Sequence, residues 1–477
     1  MPFLLHFSKN PPWPAYDVLM GLEWASREHL RDIQMDRLRS IVAHAEQNVP
    51  YYTEAFALAG VKATDINTFE DLLAIPTIDK GRIAANFPDR ITSCNSNRES
   101  WQYFATAGTT DRLMVIKDAE ALSRNIAITL YEEHLRGTYA PGSLLVNIPP
   151  DACSLACAAA TRKSLGIGGR TRQAFRHLAS KGAFHLPRYL TGWMTRKIAS
   201  PQREMASFGP EGTRVSPEML QLYIEQIRDW RPAVLSGLPT YLQLLAMHIQ
   251  KYEEKPPVIG SLLPQGALST SGLKNELRQV FGVPVHEVYG GHELGCIASS
   301  CEQQDRLHIA MSECLVEVVR NGKHVPHGEV GEIIITVFNN RVMPLIRYRP
   351  GDIGRLYEEH CACGRGAQML TLEGRIQNTM VTSRGIVTER EICDFMSGWP
   401  DIEFSQLVQR SATNCDLLIV GRNSGRPDFE ALADATSNFL GKQMVVRPRT
   451  VSTIKPEASG KFRFVKSSSF DLFHEID

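Results

Sequence analysis

The chain is 477 residues long, which predicts two or three domains and leaves ample length for a large buried core. Lysine plus arginine and aspartate plus glutamate number 52 each, so net charge gives no reason to expect a nucleic acid or an acidic surface as partner. The N-terminus has too short an apolar run for a secretory signal, and no segment reaches the roughly 18–20 apolar residues of a membrane span. We therefore expect a cytoplasmic protein that binds neither nucleic acid nor membrane.

The predicted elements begin with a helix over residues 27–48, which Pro50 ends. Its apolar positions recur at helical spacing: Leu30, Ile33, Leu38, Ile41, Val42 and Ala45. Further along, helical stretches alternate with short β-rich runs at residues 144–148, 233–236, 283–288 and 333–338. This alternation predicts α/β layers with a partly parallel sheet.

Residues 152–203 contain ten lysines and arginines but no aspartate or glutamate. Such a stretch is typical either of a solvated basic face or of a surface that attracts phosphates or an acidic carrier protein. Both interpretations stay open at the level of sequence.

The pattern changes after Arg375. A helix over 389–396, strands over 404–409 and 416–420, a helix over 428–440 and a strand over 443–447 predict a compact α+β unit. The predicted fold class is therefore α/β, with a large N-terminal α/β domain of several subdomains over residues 1–375 and a small α+β domain over 376–477.

The segment 343–352 ends in a Pro-Gly turn and then Asp352, after an apolar run with strand character over 331–338. A turn that follows a buried strand is where α/β proteins place binding groups. The carboxylate can accept hydrogen bonds from a vicinal diol such as a ribose. A solvated aspartate at a strand end is the alternative.

A loop of small hydroxyl residues around a glycine, Thr106–Thr110, precedes a predicted strand over 113–116. Backbone N–H and side-chain O–H groups in such a loop can converge on phosphate oxygens, where a bulky residue would block them. The same composition is also common in ordinary turns.

The segment 287–293 ends a β-rich run with an aromatic residue, two glycines and a carboxylate. Tyr289 could stack on a base, Gly290 and Gly291 allow close approach, and Glu293 could hold a hydrated magnesium ion. A glycine-rich loop with an incidental glutamate is the alternative.

Four cysteine and histidine residues form a candidate metal site. Cys301 and His308 are separated by six residues, and Cys361 and Cys363 by one residue. Three thiolates and one imidazole would make a closed tetrahedral zinc site, hence a structural one. Cys296, Cys314 and His360 are competing ligands nearby.

These motifs, in this order, resemble the adenylate-forming acyl-CoA ligase superfamily, and within it the phenylacetate-CoA ligase-like branch. The resemblance covers nearly the whole chain, through Gly374-Arg375 to Gly460-Lys461. It implies an enzyme that activates a small carboxylic acid with ATP and passes the acyl group to a thiol, usually that of CoA. It also implies a mobile C-terminal domain, a zinc ion in some members and dimerisation as an expectation.

The resemblance also implies roles for individual residues. Thr106, Gly108, Thr109 and Thr110 would bind ATP phosphates, while Tyr289 and Gly290, with Gly266 and Ala267, would line the nucleotide site. Glu293 would assist Mg²⁺, Asp352 would bind the ribose, and Arg375 would contact ribose or phosphate at the hinge. Lys461, which we expect on an exposed loop, would bridge the acyl carboxylate and the α-phosphate. Cys301, His308, Cys361 and Cys363 match the zinc ligands.

The chain departs from the family pattern at several positions. Asp111-Arg112 replaces the Gly-Lys that normally continues the phosphate loop, and Gln377 and Asn378 replace the hinge carboxylates. Leu268 replaces the glutamate of the family's Gly-Ala-Glu, and the acyl-pocket segment reads Asn147-Ile148-Pro149-Pro150-Asp151 followed by the basic stretch. The loss of a glutamate and the gain of arginines favour an acid with an additional polar or anionic group. A carrier protein or an amine as acceptor, and a zinc-stabilised binding protein without catalysis, remain alternatives.

Overall fold

The computed structural model describes residues 11–105, 113–138, 143–150, 201–208, 215–304, 306–422, 427–457 and 461–467. Within these ranges the α-helices are Trp13–Gly21, Arg27–Asn48, Pro50–Ala59, Lys80–Asn86, Ala119–Leu135, Pro217–Trp230, Pro239–Lys251, Ser271–Phe281, Glu389–Met396 and Phe429–Leu440. The Thr/Gly loop, Asp111-Arg112 and most of the basic stretch lie outside the described residues.

The strands of the N-terminal region are β1 (Gln102–Ala105), β2 (Met114–Lys117), β3 (Leu145–Ile148), β4 (Gln202–Glu204), β5 (Val234–Gly237), β6 (Ser261–Pro264), β7 (Val288–Gly291), β8 (Gly295–Ser300), β9 (Leu307–Ile309), β10 (Cys314–Arg320), β11 (Lys323–His324), β12 (Gly331–Val337), β13 (Asp352–Tyr357) and β14 (Met369–Arg375). Those of the C-terminal region are β15 (Met380–Thr382), β16 (Gly385–Val387), β17 (Ile402–Ser411), β18 (Asn414–Gly421), β19 (Val445–Thr450) and β20 (Val465–Lys466). Helices and several sheets together confirm the predicted α/β class.

A four-stranded sheet with the order β4-β3-β5-β6 has only parallel pairs. β5 and β6 are buried along their whole length, as expected for strands covered on both faces, whereas β4 is an exposed polar edge strand. The predicted partly parallel sheet is therefore present. The predicted strand over 283–288 is wrong, because Val285 makes only an isolated bridge to Leu262 and the next strand begins at Val288.

An eight-stranded sheet, ordered β11-β10-β12-β13-β14-β9-β8-β7, carries most of the candidate site residues. Each pair recorded in it is antiparallel. The helix Arg27–Asn48 packs into the same hydrophobic core through Leu38 and Ile41. That helix has the predicted bounds, since the Ser26 side chain caps its first turn and Pro50 starts a new helix.

The C-terminal region contains a four-stranded sheet in the order β19-β18-β17-β20, with two helices. The predicted helix over 389–396 has the observed bounds, and the predicted strands lie within or overlap β17, β18 and β19. A short 3₁₀ turn, Ile376–Asn378, connects this region to β14. Phe462 lies in a hydrophobic cluster that also contains Phe404 and residues of the parallel sheet.

Two further findings concern cysteines and membranes. The described cysteines are all free thiols. Among the described helices, none combines the length and apolar character that a bilayer crossing requires.

Candidate active site

Asp352 lies at the junction of two antiparallel strands. It follows Gly351, whose φ of +84° favours glycine, and it is the first residue of β13, where it pairs with Arg375 at the end of β14. The Arg375 Nε atom lies 3.1 Å from Asp352 Oδ1, and the Tyr289 hydroxyl donates a hydrogen bond of 2.9 Å to Oδ2. Each carboxylate oxygen thus has one protein partner and retains capacity for a second.

Tyr289 is buried, and its hydroxyl is held as a donor. Burial raises its pKa well above the ordinary value, and the neighbouring Asp352 carboxylate raises it further. The phenol therefore stays protonated at neutral pH and orients the Asp352 carboxylate.

Glu293 lies two residues after Gly291, the last residue of β7. A Cβ atom on Gly291 would lie 2.9 Å from Glu293 Oε2, and one on Gly290 would lie 2.2 Å from the carbonyl oxygen of Gly295. The backbone contact at Gly290 therefore requires glycine, whereas a side chain at Gly291 would displace the Glu293 carboxylate. The buried Tyr348 hydroxyl donates a 3.3 Å hydrogen bond to Glu293 Oε1. One edge of the Glu293 carboxylate is thereby fixed in orientation.

Lys461 is partly buried rather than exposed, so the expectation of an exposed loop is wrong. The neighbouring Phe462 ring packs 5.4 Å from Phe404, which draws this segment into the core. Burial lowers the pKa of Lys461, and the positive charge of Arg375 lowers it further, while Asp352 and Glu293 oppose these effects. The ammonium group therefore lies within electrostatic range of both carboxylates.

Sequence reasoning missed two other cations here. Lys80, at the start of a short helix, contributes to the electrostatic field at Lys461. Lys117, at the end of β2, is buried; burial lowers its pKa to about 8, and the charge of Glu293 acts in the opposite direction. A charged residue ending the apolar run of β2 was the available signal for Lys117.

Gly266 and Ala267 lie after β6, at the carboxyl edge of the parallel sheet. The φ of Gly266 is +84°, and the preceding Gln265 N–H donates to the Gly237 carbonyl at 2.9 Å. The Gln265 side chain donates to Asn147 Oδ1 at 3.3 Å across the same edge. This edge is where open α/β sheets bind ligands.

The predicted metal ligands converge. The ligand atoms of Cys301, His308, Cys361 and Cys363 lie within 4.8 Å of one another. The Cys301 and Cys361 sulfur atoms are 3.7 Å apart, and Cys363 Sγ is 3.5 Å from His308 Nε2. With Zn–S bonds near 2.3 Å, tetrahedral sulfur ligands lie roughly 3.8 Å apart, so these spacings fit zinc.

Burial raises the pKa of the Cys301 and Cys361 thiols, and nearby backbone N–H groups act in the opposite direction. Backbone N–H groups of Gln303 and Arg365 donate to Cys301 Sγ at 3.4 Å and Cys363 Sγ at 3.5 Å. Burial lowers the pKa of His308 to about 4, which keeps the imidazole neutral, as a metal ligand must be. Arg365 also joins Glu23 at 2.7 Å, so this cluster is linked to the N-terminal helices.

The competing ligands lie apart from this cluster. Cys296 Sγ lies 3.7 Å from the Tyr289 carbonyl oxygen, and Cys314 Sγ lies 3.8 Å from the Ile297 carbonyl oxygen. Within the described ranges, the group of four is the cluster that meets the geometry of a metal site, and it includes neither of these thiols nor His360.

The fold and the sequence of this chain are similar to those of AMP-forming acid–CoA ligases. Residues 380–468 match the CapK C-terminal domain family. A phenylacetate-coenzyme A ligase of Thermus thermophilus is 27% identical over 375 residues, covering 76% of this chain and 74% of that protein. The resemblance predicted from the sequence is thereby confirmed, and the chain is a relative of the phenylacetate-CoA ligases.

Solved structures show the same fold. A 2-hydroxyisobutyryl-CoA ligase in the postadenylation state with 2-HIB-AMP is 18% identical, covers 93% of this chain and 90% of that chain, and gives a TM-score of 0.71. The same enzyme with 2-HIB-AMP and CoA in the thioesterification state gives 0.57 at the same identity and coverage. An amide bond synthetase, McbA from Marinactinospora thermotolerans, is 18% identical, covers 79% of this chain and 69% of that chain, and gives 0.52.

Proposed function

We propose that the protein activates a small carboxylic acid with ATP to form an acyl-adenylate and then transfers the acyl group to the thiol of CoA. The observation that carries this proposal is the position of Lys461 in the electrostatic field of Asp352, Arg375 and Glu293. Lys461 lies near two carboxylates more than a hundred residues earlier, Asp352 at the start of β13 and Glu293 in the turn between β7 and β8. The names of the phenylacetate-CoA ligase relatives support the same reaction.

The nucleotide would bind between the carboxyl edge of the parallel sheet and the Asp352 end of the eight-stranded sheet. Asp352 would accept hydrogen bonds from the ribose hydroxyls, using the capacity that Arg375 and Tyr289 leave on its oxygens. Gly266, Ala267, Tyr289 and Gly290 would line the adenosine, and Thr106, Gly108, Thr109 and Thr110 would bind the phosphates. Arg375 would contact ribose or phosphate.

In the first step, an oxygen of the substrate carboxylate attacks the α-phosphorus of ATP and pyrophosphate leaves. Negative charge develops between these groups, and the cations of Lys461 and Arg375 would stabilise it without reorganisation. In the second step, the CoA sulfur attacks the acyl carbon, AMP leaves and the thiol proton passes to solvent. Both steps use one site, with a change in the position of the C-terminal domain between them.

Two metal ions fit the residues present. Glu293 offers a carboxylate whose orientation Tyr348 fixes, which suits a partly hydrated Mg²⁺ beside the phosphates. When bound, the ion would neutralise phosphate charge. Cys301, His308, Cys361 and Cys363 would hold a structural Zn²⁺, since four protein ligands leave no open position.

We further propose that residues 376–477 form the mobile domain, which moves relative to residues 1–375. The higher TM-score against the postadenylation state, 0.71 compared with 0.57 for the thioesterification state, supports an adenylation-like position of Lys461 in this structure. The polar pair Asn147 and Gln265 at the sheet edge favours an acid with an additional polar group.

The test is acid-dependent ATP–pyrophosphate exchange across a panel of aryl, aliphatic, hydroxy and dicarboxylic acids. We expect exchange with at least one small acid, followed by thioester formation when CoA is added. If the adenylate forms but free CoA is not used, carrier proteins and amines are offered next, and transfer to them would replace CoA as the acceptor. No exchange with any acid, from folded and metal-loaded protein, would favour a binding protein without catalysis.

A further inference from the structure

The segment that carries Lys461 is attached to the hinge through Arg463. Arg463 Nε donates to Asn378 Oδ1 at 2.8 Å, and Nη2 donates to the Gln377 carbonyl oxygen at 2.8 Å. A third contact runs from Nη1 to Glu457 at 3.3 Å. Because Arg463 lies two residues after Lys461, fixing its guanidinium on the hinge restricts where the ammonium of Lys461 can lie.

Asn378 passes this link to a buried carboxylate. Its Nδ2 atom donates to both oxygens of Glu389, at 3.0 and 2.9 Å. Both side chains are buried, at 6% and 4% exposure, so these bonds are shielded from water. The amide serves as acceptor toward Arg463 and as donor toward Glu389. A carboxylate at position 378 could accept from Arg463 but could not donate to Glu389.

Glu389 in turn contacts the other side of the hinge. Burial raises the pKa of its carboxyl group to about 7, and the positive charge of Arg375 opposes that rise. The same side chain packs against Gly374, where a Cβ atom would lie 2.6 Å from Glu389 Cβ and 2.7 Å from Oε2. Gly374 also has a φ of +118°, which a side chain rarely adopts. The chain of contacts therefore runs from the Lys461 segment, through the hinge turn, to the residue that pairs with Asp352.

We propose that Arg463, Asn378 and Glu389 form a hinge relay that positions Lys461 for the adenylation step. The inference rests on the proposed function. With Glu389 ionised, the amide at position 378 can bond to Arg463 and Glu389 at once, which the carboxylate of the family pattern could not do. Rotation of the C-terminal domain would change the backbone at residues 375–378 and disturb the packing of Glu389 against Gly374 and its bonds to Asn378. The relay therefore favours the adenylation arrangement over the thioesterification arrangement.

The first test is Arg463→Met, matched with Arg449→Met in the same region. Arg449 is on β19 and pairs with Asp416 at 3.6 Å, away from the hinge, so its replacement removes the same charge. We expect Arg463→Met to lower kcat for acid-dependent pyrophosphate exchange about tenfold, with the KM for ATP unchanged. Thioester formation from supplied acyl-adenylate should stay within about twofold of the wild type. Equal loss in both half-reactions, or an equal loss in Arg449→Met, would overturn the proposal.

The second test replaces the Asn378 amide, which donates to Glu389, by a carboxylate that can only accept. Asn378→Asp places a second carboxylate against Glu389, so we expect adenylation to fall even though the family pattern has a carboxylate at this position. Adding Glu389→Gln to that variant supplies a donor to the new carboxylate and should restore most of the rate. Full activity of Asn378→Asp alone, or additive losses in the double variant, would reject the relay.

A measurement without substrates separates failure of the relay from failure of the proposed chemistry. Hydrogen–deuterium exchange at the hinge peptide should be faster in Arg463→Met and Asn378→Ala than in the wild type and Arg449→Met. Unchanged hinge exchange rejects the relay whatever the enzyme activity. Faster hinge exchange in a protein that activates no acid would support the hinge contacts and reject the proposed function.

Discussion

The Tyr289 hydroxyl donates a 2.9 Å hydrogen bond to Asp352 across a sheet in which three strands separate their own strands. Neighbouring strands lie about 4.8 Å apart, so a flat sheet would hold β7 and β13 roughly 19 Å from each other. A tyrosine side chain cannot cross that distance, so the sheet must curve strongly toward itself. The curvature brings the glycine-rich end of β7 onto the Pro-Gly turn before β13, and this juncture forms the candidate nucleotide site.

The first prediction concerns Asp352→Asn, which keeps the shape of the side chain and removes its charge. We expect the KM for ATP to rise about tenfold, because a charge-assisted bond to the ribose becomes a neutral one. Asp416→Asn is the matched control, since Asp416 pairs with Arg410 at 2.9 Å in the C-terminal region. Initial rates of pyrophosphate exchange at varied ATP give both constants. An unchanged KM for ATP would contradict the assigned contact.

The second prediction concerns Lys461→Ala. Adenylation should fall about 100- to 1,000-fold, because a preorganised cation at the developing charge is lost. Thioester formation from chemically supplied acyl-adenylate should be spared, because that step needs no cation between carboxylate and α-phosphate. Lys466→Ala removes an exposed lysine of β20 and serves as control. Equal loss of both half-reactions would contradict the role of Lys461.

The third prediction is a pH profile. Burial and the charge of Arg375 lower the pKa of Lys461. The protonated ammonium is the active form. The adenylation rate is therefore at its maximum below this lowered pKa and falls as the pH rises through it. The alkaline limb should therefore lie below the value of about 10.4 for an exposed lysine. Lys461→Arg should move the limb to higher pH, and the thioester half-reaction should lack it. A limb that stays in place in Lys461→Arg would assign it to another group.

The fourth prediction concerns the metal cluster. Purified protein should contain one zinc ion per chain, measured by elemental mass spectrometry, and a strong chelator should lower its thermal midpoint. Cys301→Ser should lose the metal, whereas Cys296→Ser should retain it, since Cys296 lies outside the cluster of four ligand atoms. Equal zinc content in the two variants would show that the four residues do not hold the ion.

The sequence predicted the fold well wherever local signals suffice. The helix Arg27–Asn48 was predicted at its observed bounds because its periodicity and the following proline are local signals. The run over 283–288 failed because strand formation there depends on a partner, and Val285 has only one bridge. The apolar composition of residues 283–288 could not show that the segment pairs with a neighbouring strand at a single bridge.

The candidate site was predictable in part for the same reason. Glycines and a proline marked the loops of Tyr289 and Asp352 in the sequence itself. The contributions of Lys80 and Lys117 arise from tertiary packing, which no spacing in the sequence displays. Arg463 and Asn378 are 85 residues apart and meet only in the folded chain. The sequence showed that Asn378 replaces a hinge carboxylate, but it could not show that Asn378 contacts Glu389.

The last prediction concerns Glu132, a carboxyl group on the helix Ala119–Leu135 that is 3% exposed and whose Oε1 atom has no hydrogen-bond partner within the described structure. Burial raises its pKa to about 7, although Arg136 acts in the opposite direction. The folded-state pKa lies above that of the unfolded chain, about 4.3. The folded protein therefore binds the extra proton between these values, and stability falls as pH rises from about 5 to 7.

Glu132→Gln removes this titration and should lessen the loss of stability on going from pH 5.5 to 8. We expect the difference between variant and wild type to change by about 2 kcal/mol over that range. Denaturant unfolding at several pH values measures it, with Glu120→Gln, an exposed carboxylate on the same helix, as control. A difference that does not vary with pH would show that Glu132 is ionised in the folded protein at pH 5.5, because a group charged in both states at every pH tested contributes no pH dependence.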